Sequence, residues 1–192
     1  MTGETHKPAS FVASGSEDLS AGLRRAADLT QLADPRLVRA LTWWRGLQDG
    51  PGQIPDRIRL DPTQIPDLLP YAILWDVLPA PDRPDRQLYR CRLAGTMLND
   101  FYGREARGQW LHEQYGDESA AMQAEYDAVV RLRRPLWTEH RMSWADKPFY
   151  RYLRLMLPFT HRAAAQRSDL PALHNDPERV ALIFNVISFI GE

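Results

Sequence analysis

The chain has 192 residues, 44% hydrophobic and 26% charged, with a formal net charge of -1. That length holds one ordinary domain whose core needs no disulfide or metal staple, and is too short for two full domains. The near-zero charge excludes a general nucleic-acid binder, and the single cysteine, Cys91, excludes an internal disulfide and a multi-cysteine metal site.

Residues 1–33 are rich in Ser, Thr, Gly, Ala and charge without a periodic apolar pattern. They read as a disordered or loosely helical segment, and they lack the apolar core of a signal peptide. The folded domain is assigned to residues 34–192. An N-terminal helix is predicted over 35–48, with Asp34 as N-cap, Pro35 at the first helical position, and Leu37, Val38, Leu41, Trp44 and Leu47 on one stripe. A sheet face or a second copy of the chain would cover that stripe, which makes Leu41 and Trp44 the candidate homodimer contacts.

Pro55, Pro62, Pro66 and Pro70 restrict the next segment to a turn or two of helix within 61–69, capped by Asp61 and started by Pro62. Residues 71–78 and 87–94 read as strands joined by the PAPDRPD turn, and should pair as a hairpin. In the second of them Tyr89, Cys91 and Leu93 alternate with Arg90 and Arg92, so one face is apolar and the other charged. After Gly95 the period changes: Met97, Leu98 and Phe101 recur at helical spacing, and Gly103 and Gly108 bracket the segment beyond them. A strand that turns into a short helix folds back over the sheet face it has left, and so builds a concave wall.

Residues 117–132 read as a helix, with Met122, Tyr126, Val129, Val130 and Arg133 at three-to-four spacing, ended by Pro135. Two strands, 137–144 and 150–159, come next around the ADKPF turn. A turn centred on Lys147 places His140 opposite Arg154, Met142 opposite Tyr152 and Trp144 opposite Tyr150. After a polar loop over 160–179, the run 180–190 is almost continuously apolar and suits a central strand covered on both faces. At 11 residues, with Asn185 inside it, the run is too short for a membrane span. A cytoplasmic protein with no membrane or nucleic-acid partner is expected.

The order of one helix, two strands, a helical cluster and three strands resembles the PAS fold. Trp44-Arg45, Pro55-Asp56-Arg57, Asp61-Pro62, Leu68-Leu69-Pro70, Arg92-Leu93-Ala94-Gly95-Thr96, Tyr102-Gly103-Arg104-Glu105 and Leu157-Pro158 extend the likeness. In order and spacing they resemble the alphaproteobacterial PAS-like family once catalogued only as a domain of unknown function, over about residues 35 to 190. Arg107-Gly108 stands where that family closes its glycine segment with Thr-Gly. The resemblance implies an α+β domain: a PAS-like five-stranded antiparallel sheet with helices on one face, plus the N-terminal helix, enclosing a small-molecule pocket. It implies a sensory or regulatory binding module, often self-associating, and supplies no catalytic residue and no cofactor. The last strand runs almost to the end of the sequence, so the signal is expected to leave through a protein partner in trans.

The residues expected to face a ligand are Tyr89, Tyr102, Trp110, His140, Met142, Tyr152 and Arg154. Arg154 is the informative one. A cation on an aromatic and thioether face is costly unless paired, so an acidic ligand or an internal carboxylate is expected beside it, unless the guanidinium reaches solvent. Glu139 and His140 are strand neighbours that point to opposite faces and cannot share a proton. His112, His140 and His161 have no second ligand at i+3 or i+4, so no metal site is assigned. His112, in the helical cluster, is the histidine to test as a single haem ligand. Cys91 reads as a buried core thiol on a strand, whereas flavin-binding PAS domains carry theirs in a helical Asn-Cys-Arg-Phe-Leu-Gln motif. Two other classes stay open. An enzyme of the cone-shaped, nuclear-transport-factor-like fold would show a long N-terminal helix plugging the open end and an inward Asp-His pair. A structural interaction domain would have a filled core.

Overall fold

The structure, a computed structural model, describes residues 29–83, 85–144, 147–162 and 176–190; at 141–150 only the backbone is described. The expectation of a disordered or loosely helical start therefore falls mainly outside the described residues. Of that segment, Leu29–Gln31 forms one 3-10 turn and Leu32 is buried.

Asp34 caps helix α1 (Pro35–Gly46) by accepting from the Leu37 N–H at 3.0 Å, and Pro35 opens the helix where a backbone N–H would have no partner. Leu37, Ala40, Leu41 and Trp44 line one buried side, joined by Leu47 beyond the helix end. Val38, placed on the stripe by spacing, points out instead and is 40% exposed. The sheet covers this stripe. Trp44 Nε1 donates to the Pro158 carbonyl at 2.8 Å, and the Trp43 ring lies 5.6 Å from Phe184 and 6.1 Å from Phe159. Leu41 and Trp44 are thus core residues of their own chain, 5% and 3% exposed, and cannot serve as the homodimer contacts expected of them.

The proline-rich segment forms 3-10 turns at Pro62–Gln64 and Leu69–Tyr71, the first capped by Asp61. Strands β1 (Ala72–Pro79) and β2 (Gln87–Ala94) make the expected antiparallel hairpin. With β3 (Leu136–Trp144), β4 (Lys147–Thr160) and β5 (Val180–Ile190) they form one five-stranded antiparallel sheet in the order β2-β1-β5-β4-β3. The apolar last strand lies in the centre, buried on both faces. Phe184 and its even-numbered neighbours look towards α1, and Asn185 and its odd-numbered neighbours look the other way.

That second face is covered by helices α2 (Thr96–Tyr102), α3 (Leu111–Tyr115) and α4 (Ser119–Leu132), all between β2 and β3. Two glycines make this possible. A Cβ on Gly95 would lie 2.1 Å from the Leu69 carbonyl oxygen and 2.3 Å from that of Pro70, so only glycine lets the end of β2 pass against that turn. Gly108 has φ +86°, which returns the chain along β2; its N–H donates to Cys91 O, and the Cys91 N–H donates to Gln109 O, both at 2.8 Å. The Arg107-Gly108 departure thus covers part of the edge of β2.

The β3–β4 register differs from the expected one by two positions: His140 faces Tyr152, Thr138 faces Arg154 and Met142 faces Tyr150. Lys147 belongs to β4 and pairs with Trp144, so the chain turns earlier than a turn centred on Lys147 would. Side chains alternate with a period of two, so this slip leaves the same residues on the inner face.

Candidate functional site

The inner face of the sheet carries a charged group deep beneath α4. Arg154 on β4 is fully buried, and its Nη2 donates to Glu125 Oε2 on α4, itself 3% exposed. Arg154 Nη1 donates to the Met122 sulfur at 3.3 Å, and its Cζ sits 5.2 Å from the Tyr126 ring centroid. His140 on β3 closes the group. Its Nε2 lies 3.2 Å from Glu125 Oε2, 3.3 Å from Arg154 Nη2 and 2.9 Å from Thr138 Oγ1. With a proton on that nitrogen the ring donates to Glu125; without one it accepts from Arg154 or Thr138. Of the two partners expected for Arg154, this structure supplies the internal carboxylate, and the guanidinium does not reach solvent.

Burial alone would raise the Glu125 carboxyl, but Arg154 and His140 outweigh it and bring it down to about 2. Burial would likewise lower Arg154, yet Glu125 carries it well above its ordinary range. The pair is ionic at neutral pH.

Aromatic rings fill the rest of the interior. The Tyr126 ring lies 5.0 Å from Tyr89 and 5.7 Å from Trp75, Trp75 stacks at 6.4 Å on Tyr115, and His140 stacks at 4.9 Å on Tyr152. Burial pushes the Tyr102, Tyr126 and Tyr152 phenols far up, so they stay neutral hydrogen-bonding groups. Tyr89 donates to Asp127 Oδ1 at 2.6 Å, and Asn185 Nδ2 donates to Tyr126 Oη.

Four of the seven expected residues, Tyr89, His140, Tyr152 and Arg154, meet in this interior. Tyr102 stands at its margin, half-buried, with its hydroxyl 3.4 Å from that of Tyr115. Trp110 does not join them. It precedes α3 at the β2 edge, where its N–H donates to Glu113 at 2.7 Å and its ring lies 5.6 Å from the Arg90 Cζ. The Met142 side chain lies outside the described residues. His112 is exposed on α3, away from the interior, and so is not placed to ligate a buried haem. Glu139 and His140 do point to opposite faces, Glu139 pairing with Arg151 at 3.2 Å. Cys91 is buried, and burial lifts its thiol to about 12.

The residues that sequence reasoning missed are Glu125, Tyr126, Asn185 and Trp75. Glu125 stands three residues after Met122 and four before Val129. A carboxylate on the apolar stripe of α4 is the signal that would have found it.

A family model described as PAS domain matches residues 33–174, and the chain belongs to that family. No curated protein matches it. Among solved structures, a Rhodobacter sphaeroides LOV protein is 16% identical, with 69% of this chain and 70% of that one covered and a TM-score of 0.38. A PAS domain from Colwellia psychrerythraea is 11% identical, with 67% and 95% covered and a TM-score of 0.40. Among the described residues, no helix is long and apolar enough to cross a membrane.

Proposed function

We propose that this chain is a sensory or regulatory PAS module that receives a small molecule on the inner face of its sheet and passes the signal to a protein partner. The Glu125–Arg154–His140 group carries this reading. A core that only had to be filled is served as well by apolar side chains, because desolvation offsets most of what a buried ion pair gains. Here a charged, hydrogen-bonding group is held beneath a single helix on a face it shares with Tyr89, Tyr152, Trp75 and Asn185. The competing reading, a structural interaction domain, rests on the aromatic rings that occupy the same interior. The enzyme reading gains an inward carboxylate–histidine pair, but α1 covers the opposite face instead of plugging an open end, and Arg154 ties up the carboxylate that would act as base.

Native mass spectrometry of freshly purified protein, compared with the denatured chain, tests the proposal. The expected result is a non-protein mass released on denaturation, and the same spectrum gives the oligomeric state. A chain that carries no such mass, and gains none after incubation with a small-molecule extract of the expressing cells, would overturn the ligand reading in favour of the structural one.

A further inference from the structure

The two edges of the sheet are finished differently. Along β2 the chain itself supplies backbone partners: the Gly108 N–H donates to Cys91 O, the Cys91 N–H donates to Gln109 O, and Arg90 bridges to Trp110. Along the outer edge of β3, no strand or bridge pairs among the described residues. Leu136–Trp144 is nine residues long and contains none of the proline, glycine or lysine that commonly guard an exposed edge. Its main-chain N–H and C=O groups that point away from β4 form a template for another strand.

We propose that the strand it takes is β3 of a second copy, antiparallel about a two-fold axis at His140, so that the two sheets join into one. Opposite residues of an antiparallel pair share a face, and in a two-fold pair the contact of one residue with another is repeated in reverse. The axis must therefore pass between a residue and its own copy. Two features choose His140. It is the midpoint of Leu136–Trp144, so only there do all nine residues pair. It also sets Glu139 opposite Arg141 of the second copy, twice, on the face turned away from α4. Centring on Glu139 would oppose two carboxylates, and centring on Arg141 would oppose two guanidiniums. Within one chain Arg141 stands opposite Arg151 in the β3–β4 register, while Glu139 gives its carboxylate to Arg151 at 3.2 Å. Like charges directly opposite repel, and the second copy's Glu139 sets a carboxylate on the other side of Arg141. The axis runs beside the one member of the buried charged group whose side chain keeps some exposure, His140 at 12%, and so sets the two groups on either side of the seam.

Sedimentation velocity of the full chain over a range of concentrations, with far-UV circular dichroism to check folding, tests this. The wild type should be a reversible dimer. Arg141→Glu opposes carboxylates on both sides of the axis and should weaken the dimer at least about tenfold. The charge-swapped Glu139→Arg/Arg141→Glu, which keeps a carboxylate opposite Arg151 in the register, should restore it. Cysteines read the register. An equimolar mixture of Glu139→Cys and Arg141→Cys chains should oxidise to a disulfide-linked dimer, because opposite Cα atoms of an antiparallel pair lie about 4.5–5.5 Å apart. Neither variant alone should do so at a comparable rate, and Cys91, buried with its thiol raised to about 12, should stay reduced. A wild type that stays monomeric up to its solubility limit leaves the edge to a different strand and overturns the proposal. So does a dimer that Arg141→Glu leaves intact, or one in which the mixed cysteine chains link no faster than either alone.

Discussion

Replacing Glu125 by glutamine removes one charge from the interior while keeping the side chain's length and one acceptor. Arg154, with no exposed surface, then becomes a buried cation whose remaining contacts are the Met122 sulfur, the His140 ring and the Tyr126 face. Breaking a buried pair from one side costs about 3–5 kcal/mol. Linkage gives a similar figure: a carboxyl moved from its ordinary 4.5 to about 2 corresponds to about 3 kcal/mol of folding stability. The folded-state value lies below the unfolded one, so this contribution is complete above about pH 4.5 and is lost as the pH falls towards 2. Urea unfolding at pH 7, followed by tryptophan fluorescence and far-UV circular dichroism, should show Glu125→Gln destabilised by about 3 kcal/mol, equivalent to roughly 10 °C in melting temperature. The variant should also lose the part of the acid-destabilisation limb that Glu125 supplies. Arg154→Met combined with Glu125→Gln should recover most of the loss, giving a coupling of about 2 kcal/mol or more in the double-mutant cycle. A single variant within about 1 kcal/mol of wild type, or purely additive losses in the cycle, would refute the claim that the pair is buried and ionic.

Gly95→Ala places a methyl group on the Leu69 and Pro70 carbonyls and should cost about 2 kcal/mol or more, read as a drop in the urea midpoint at unchanged slope. Trp44→Phe removes the bond to the Pro158 carbonyl and should cost about 1–3 kcal/mol; sedimentation velocity should show the same oligomeric state as wild type, and a change of state would return α1 to an interface. Cys91, 2% exposed with its thiol raised to about 12, should resist Ellman's reagent at pH 8 in the native chain and react fully in urea. Fast reaction without denaturant would show that the β2 edge opens.

The chain's period changes announced its elements because each is amphipathic in a way its neighbours demand. The alternation of buried Tyr89 and Cys91 with exposed Arg90 and Arg92 marks β2, but it fails at Leu93, which is 45% exposed where the register with β1 shifts between Leu74 and Trp75. The continuous apolarity of 180–190 places β5 in the centre, since only a strand covered twice reads that way. The site was half legible for the same reason. Alternation fixes which face Tyr152 and Arg154 share, and a two-residue slip in register cannot change it. What sequence spacing could not supply is the partner across space. Glu125 reads as one more polar residue in a helix until α4 is laid on β4, and Trp110 reads as an inward aromatic until Gly108 turns the chain along the β2 edge.

Three consecutive residues of α4 hold different parts of the sheet. Glu125 binds Arg154 on β4 and His140 on β3, Tyr126 meets Asn185 on β5 and Trp75 on β1, and Asp127 accepts from Tyr89 on β2. Adjacent helix positions diverge by about 100°, so one rigid helix can present three such contacts to a curved sheet. The same rigidity couples them: displacing the Tyr126 side chain by moving the helix would strain the Glu125 and Asp127 contacts together. α4 ends at Arg133, a non-glycine residue in the left-handed region at φ 53°, whose guanidinium is tied to Glu178 just before β5. A change of interior occupancy that shifts α4 must therefore be taken up at that strained end or at the short turn Gly116–Glu118 before it. The C-terminal end borders a surface cleft that also contains Arg45, Gln48 and Arg134.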